Sequence, residues 1–96
     1  MNIIIDPQAK ELIKIKGEGA FVLELMRAQG WGGGVEQPVV SLGKPSKEIS
    51  KYVPIDIDGV TMYKDHAFGN DLNFRVAMTK FLFFKMLRLE AISSKN

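Results

Sequence analysis

Hydrophobic positions along the chain switch between two periods, and the switches divide it into elements. Ile3, Ile4 and Ile5 form a β-branched run that ends at Asp6-Pro7. Asp6 suits a helix N-cap, and Pro7 suits the first helical position, where its missing N–H would have had no partner anyway. A short strand therefore hands over to a helix. From Pro7 to Lys16 the apolar Ala9, Leu12 and Ile13 fall on one face, and Gly17 and Gly19 supply the stop. Between Ala20 and Ala28 the period drops to two. Phe21, Leu23 and Leu25 alternate with Val22, Glu24 and Met26, which predicts a half-buried strand.

Gly30-Trp31-Gly32-Gly33-Gly34 interrupts this pattern. Glycines have no side chain to pack and much backbone entropy to lose, so a loop is expected there. Strand-type residues return from Pro38 to Leu42, Gly43-Lys44-Pro45-Ser46 ends them, and Pro45 to Ser50 reads as a polar connection. Val53, Ile55 and Ile57 then alternate with Tyr52, Pro54 and Asp56 up to Asp58-Gly59, and Val60-Thr61-Met62-Tyr63 resumes beyond it. Asp-Gly fits the positive φ angles of the favoured two-residue turn, so a β-hairpin is predicted, with Pro54 on an edge or beside a bulge. Asp65 to Asp71 reads as a loop. Leu72, Phe74, Val76 and Met78 alternate with Asn73, Arg75, Ala77 and Thr79 and predict another strand. Phe81 to Ile92 mixes helix formers with strand-favouring aromatics; a strand is preferred, with a helix as the alternative. The sum is an α+β, mostly β fold: a small β-sandwich or barrel-like domain with one N-terminal helix, spanning residues 1–92, followed by a disordered tail at 93–96.

Composition limits the chemistry more than the architecture. The chain has no cysteine, which removes disulfides, Cys-ligated zinc, thiolate ligation of iron–sulfur clusters and a Cys nucleophile. Its net charge of +2 comes from 13 Lys and Arg spread from Lys10 to Lys95, too diffuse for the basic stripe of a nucleic-acid binder. No run of about 18 apolar residues is present, and the first residues do not resemble a secretory leader. The expectation is a cytoplasmic protein without a nucleic-acid or membrane partner.

The order of pieces carries a resemblance. Asp6-Pro7 opens a helix that ends in Lys-x-Gly; a strand, a glycine-rich segment, Pro38-Val39-Val40-Ser41-Leu42-Gly43-Lys44-Pro45, the Asp58-Gly59-Val60 hairpin and Phe81-Leu82-Phe83-Phe84-Lys85 follow. The series resembles the HesB-like group related to A-type iron–sulfur assembly proteins, in particular the branch whose signature is a Cys-Cys or Cys-selenocysteine pair before Gly-Gly. That resemblance implies a compact β-rich, HesB-like fold and, for cysteine-bearing members, iron–sulfur or redox work. At the position of the pair, before Gly33-Gly34, this chain has Trp31-Gly32. Indole and glycine offer no soft anionic ligand, so only the fold carries over.

The remaining chemistry-bearing residues divide as follows. A glycine-rich loop cradles phosphate when a helix follows it, but Val35 to Val39 leads into a strand, which favours a structural role for Trp31, Gly32, Gly33 and Gly34. Trp31, the sole tryptophan, either lids the core or is displayed as a contact residue. His66, the only histidine, has Asp65 beside it and Asp71 nearby, yet a metal site needs three or four ligands. Asp56 and Asp58 fit turn formation better than acid–base work. Ser41, Ser46 and Ser50 lack the context of an activated nucleophile. Phe81 to Leu89 is the densest apolar stretch, with Phe81, Phe83 and Phe84 as candidate contact residues. No catalytic, metal-binding or cofactor-binding residue is assigned. The reading is a non-enzymatic domain that acts by protein binding or self-association, as a homodimer or with a protein partner. Alternatives are an accessory role in iron–sulfur or metal handling through a thiol-bearing partner, and ligand binding at the glycine segment.

Overall fold

The computed structural model describes residues 2–30, 33–69 and 71–92. Strand β1 (Asn2–Ile5) leads into helix α1 (Pro7–Lys16), followed by β2 (Ala20–Gly30), β3 (Gly33–Leu42), a single 3₁₀ turn (Ile49–Lys51), β4 (Tyr52–Ile57), β5 (Val60–Asp65), β6 (Asn73–Phe81) and β7 (Phe84–Ala91). The strands make two sheets, ordered β1-β6-β7 and β3-β2-β5-β4. The mostly β fold with one N-terminal helix is as the hydrophobic pattern predicts; of the two architectures it left open, the separate sheets exclude a closed barrel.

Two parallel pairings tie distant parts of the chain together. β1 runs beside β6 from Asn2 with Asn73 to Ile5 with Val76, and β2 runs beside β5 from Ala20 with Thr61 to Leu23 with Lys64. The alternating residues of β2, β5, β6 and β7 meet in one core, where Phe21, Leu23, Met62 and Val76 are fully buried and Val60 and Leu87 nearly so. α1 adds Ala9, Leu12 and Ile13 to this core, the face that its spacing selects. Asp6 stands at the N-cap position, but its side chain makes no capping hydrogen bond. Its carboxylate lies 3.1 Å from Arg75 Nε, so a β6 cation takes the oxygen that the helix would have used.

The Asp58-Gly59 turn forms as expected, with φ of 51° and 88°, and β4 with Pro54 is the outer strand of its sheet. The expected loop at Gly30–Gly34 is corrected. The β2–β3 ladder continues through Gln29 with Gly34 to Gly30 with Gly33, so these glycines are strand residues. Ten consecutive antiparallel pairs starting at Phe21 with Leu42 set the register, and that cooperativity overrides the low strand propensity of glycine. Arg27 lays its side chain over Gly34, within 3.3 Å of where a Cβ would stand, on its way to Glu36. Trp31 and Gly32, between the paired ends, lie outside the described residues, as does the tail at 93–96.

The C-terminal stretch is strand, as preferred over a helix, but it is not continuous with Phe81. β6 ends at Phe81, β7 begins at Phe84, and the ladder closes with Lys80 opposite Lys85 and Phe81 opposite Phe84. Leu82 and Phe83 form the turn, with Leu82 at φ 57°. The residues contain no Gly, Asn or Pro to announce it, which is why the pattern concealed a hairpin.

Candidate functional site

The β6–β7 hairpin ends in four successive large apolar residues that the fold leaves in solvent. Phe81 and Phe84 are about two-thirds exposed, Leu82 is 72% exposed and Phe83 is 95% exposed. Alternation explains part of this. Val76 and Met78 of β6 and Leu87 and Leu89 of β7 point to the core, so Phe81, Phe84 and the exposed Met86 lie on the opposite face. The rest is projection beyond the end of the sheet. Full burial of each such side chain is worth about 1.5–3 kcal/mol, and the isolated chain forgoes nearly all of it at Phe83 and the larger part at the other three.

The backbone adds a second departure. A bulky residue at positive φ is a genuine outlier, costing about 1–2 kcal/mol for an L-residue. The same chain builds its other two-residue turn from Asp58-Gly59, where a positive φ is tolerated. Placing Leu82 and Phe83 at the β6–β7 turn therefore sacrifices both turn chemistry and burial. Strain of this kind collects at binding and catalytic positions.

A groove of about 250 Å³ lies at the foot of the hairpin, between α1 and the β6–β7 sheet, walled by Leu12, Ile15 and Met78 and edged by Glu11 and Lys85. Ile15 is exposed on α1, and Lys16 also lines the groove, which lies on the face of the hairpin opposite Phe81 and Phe84.

Elsewhere, among the described residues, no buried side-chain polar atom lacks a hydrogen-bond partner. Asp65, 1% exposed, accepts hydrogen bonds from the backbone N–H of Leu25 at 3.1 Å and of Ala67 at 2.9 Å, and lies 3.7 Å from Lys51 Nζ. Lys51 also donates to Glu24 at 3.1 Å. That hydrogen bond is the main reason the Lys51 ammonium is held above its usual pKa, and burial chiefly raises the Tyr52 phenol. This cluster, missed in the sequence, ties the 3₁₀ turn to β2 and to the end of β5. It opens onto a polar cleft of about 600 Å³ bordered by Ser46, Lys44, Lys47 and Tyr52. His66 is exposed while Asp65 turns inward, so the neighbouring pair is divided between solvent and core. Asp56 accepts from Thr61 Oγ1 at 3.1 Å, and Asp58 sits in the turn 3.2 Å from Lys10. Ser41, Ser46 and Ser50 have no imidazole beside them among the described hydrogen bonds. No cluster of three or more metal-ligating side chains occurs among the described residues.

Of the candidate contact residues, Phe81, Phe83 and Phe84 come together at the hairpin tip, while Trp31 lies outside the described residues. Over residues 1–92 the sequence matches the CC/Se motif containing family. The chain belongs to that family. Neither a curated protein nor a solved structure matches it. Within the CC/Se motif containing family, this chain is one that has no cysteine with which to form the motif. The end of the β2–β3 hairpin, where the resemblance aligns the pair with Trp31-Gly32, carries no thiol. No helix among the described residues is long and apolar enough to cross a membrane.

Proposed function

We propose that this CC/Se-family domain works without chemistry of its own, by docking the tip of its β6–β7 hairpin on a protein surface. One observation carries the reading: Phe81, Leu82, Phe83 and Phe84 stand exposed at a turn held in a strained backbone conformation. Contiguous apolar surface of this kind marks interaction sites, and aromatic anchors dominate their energetics. The absence of cysteine supports a reading in which the family's motif contributes no ligand or nucleophile in this chain. The docking is assigned to the cytoplasm, with protein rather than nucleic acid or membrane as partner.

Kinship with the wider HesB-like and iron–sulfur assembly group belongs to a second reading, in which the domain assists a thiol-bearing partner in cluster handling. Family membership over residues 1–92 is what favours it. It differs from the first reading by predicting iron in the isolated complex.

The test places a photoreactive amino acid at position 83, or at exposed Lys47 as control, in the cell that makes the protein. Protein adducts from position 83 and none from position 47 are expected. Equal yields, or no adduct at 83, would refute tip docking; iron that travels with the adduct would select the second reading.

A further inference from the structure

The kind of partner can be read from the charges beside the tip. We infer that the tip docks in a cleft of an acidic protein surface, with an apolar wall for Phe81 and Phe84 and a wall of carboxylates for Lys80 and Lys85. This rests on the reading of the tip as a docking element.

Three observations point to it. First, the hairpin sorts its side chains by face. Lys80 and Lys85 stand directly opposite one another, one step behind the Phe81–Phe84 pair and on the other face, while Phe81, Phe84 and the exposed Met86 share the outer face. Second, the cationic face is not neutralised. Lys80 and Lys85 are exposed, neither makes an ion pair among the described residues, and like charges directly opposite disfavour the isolated hairpin. Carboxylates of a partner turn that repulsion into attraction. Third, the same face runs on into the groove beside α1, where Lys16 joins Lys85 and Glu11 is the one carboxylate among the described lining residues. The whole flank is therefore net positive. A bilayer also takes exposed aromatics beside lysines, but it sorts groups by depth. Here Met86 lies farther from the tip than Lys80 and Lys85, so apolar and cationic surfaces run side by side to the same depth. That pattern matches a cleft with one apolar and one acidic wall, in which charge fixes partner choice and register.

The test keeps the photoreactive residue at position 83 and changes only charge. Lys80→Glu with Lys85→Glu reverses the sign of the pair but leaves two like charges opposite one another, so the hairpin's own repulsion is unchanged. The yield of protein adduct is expected to fall about tenfold or more in this variant, with its melting transition intact. Lys80→Arg with Lys85→Arg should retain the adduct. Lys44→Glu with Lys47→Glu, an equal change of net charge at exposed positions elsewhere, should leave the yield as it is. Full yield from the Lys80→Glu, Lys85→Glu variant would leave tip docking standing and overturn the acidic partner. An equal fall from the variant at positions 44 and 47 would also overturn it, by reducing the effect to net charge. No adduct at position 83 in the parent would remove the reading of the tip itself, and this inference with it. Flotation with vesicles of phosphatidylserine and phosphatidylcholine completes the test: binding that the Lys80→Glu, Lys85→Glu variant loses, without any protein adduct in the cell, would assign the tip to a lipid surface instead.

Discussion

Replacing Leu82 with glycine should make the isolated chain more stable, although it removes a large hydrophobic side chain. Leu82 occupies φ 57° and is 72% exposed, so its side chain contributes little burial while its Cβ meets the left-handed penalty. Relief of that strain is worth about 1–2 kcal/mol, and the extra backbone freedom of glycine in the unfolded state returns about 0.5–1 kcal/mol of it. The net gain is about 0.5–1 kcal/mol, which for a domain of this size raises the melting temperature by roughly 2–8 °C. Self-association would obscure the effect, so the comparison belongs in a Phe83→Ser background, with and without Leu82→Gly, followed by thermal circular dichroism. Gly59→Ala in the same background is the opposite control: φ 88° at that turn costs an alanine about 1–2 kcal/mol. A Leu82→Gly variant that melts at or below its parent would refute the claim that the tip is built at the expense of stability.

Three other outcomes test the supporting framework. Asp65→Asn keeps the shape of a buried acceptor for Leu25 and Ala67 but turns an amide N–H₂ toward one of the two donors. A loss of about 2 kcal/mol is expected in urea unfolding, and a change under about 0.5 kcal/mol would mean that the carboxylate does not pin β5 to β2. Gly17→Ala puts a methyl group against the Ala20 carbonyl oxygen and 2.9 Å from that of Ile13, so it should destabilise the helix exit by about 1–3 kcal/mol. An unchanged melting temperature would contradict that close approach. Lys51, through its hydrogen bond to Glu24, and Tyr52, through burial, both have folded pKa values above their ordinary ones. The folded state thus holds these protons more tightly, so stability is retained below about pH 10 and falls as pH rises further. Lys51→Met should flatten that alkaline decline in a series of melts, and an unchanged slope would remove Lys51 as its source.

Where local chemistry and tertiary structure agree, the elements were legible from the residues. Pro7 to Lys16, Phe21 to Leu25 and the Asp58-Gly59 hairpin all combine a clear period with the punctuation their geometry requires. The glycine segment misleads because propensity is local, whereas the β2–β3 register is imposed by well-packed pairs as far away as Phe21 and Leu42. The Leu82-Phe83 turn is hidden for a different reason. Nothing in Phe-Leu-Phe-Phe signals a reversal, and the residues that would signal one are those that a solvent-exposed apolar tip cannot use. Phe81, Phe83 and Phe84 were visible as candidate contacts from composition alone, but their exposure followed only once β6 and β7 were paired. The Glu24–Lys51–Asp65 cluster joins residues up to 41 positions apart and has no sequence signature, although a polar connection ending in Lys51 beside an aromatic gave its one faint sign.

Crosslinking from a photoreactive residue at position 83, beside the same residue at position 47, tests most directly whether the exposed apolar tip docks on protein. Protein adducts at position 83 that are lost when Phe81 and Phe84 are both replaced by serine, with none at position 47, are the predicted result. Equal yields at the two positions, or no adduct at position 83, would contradict it.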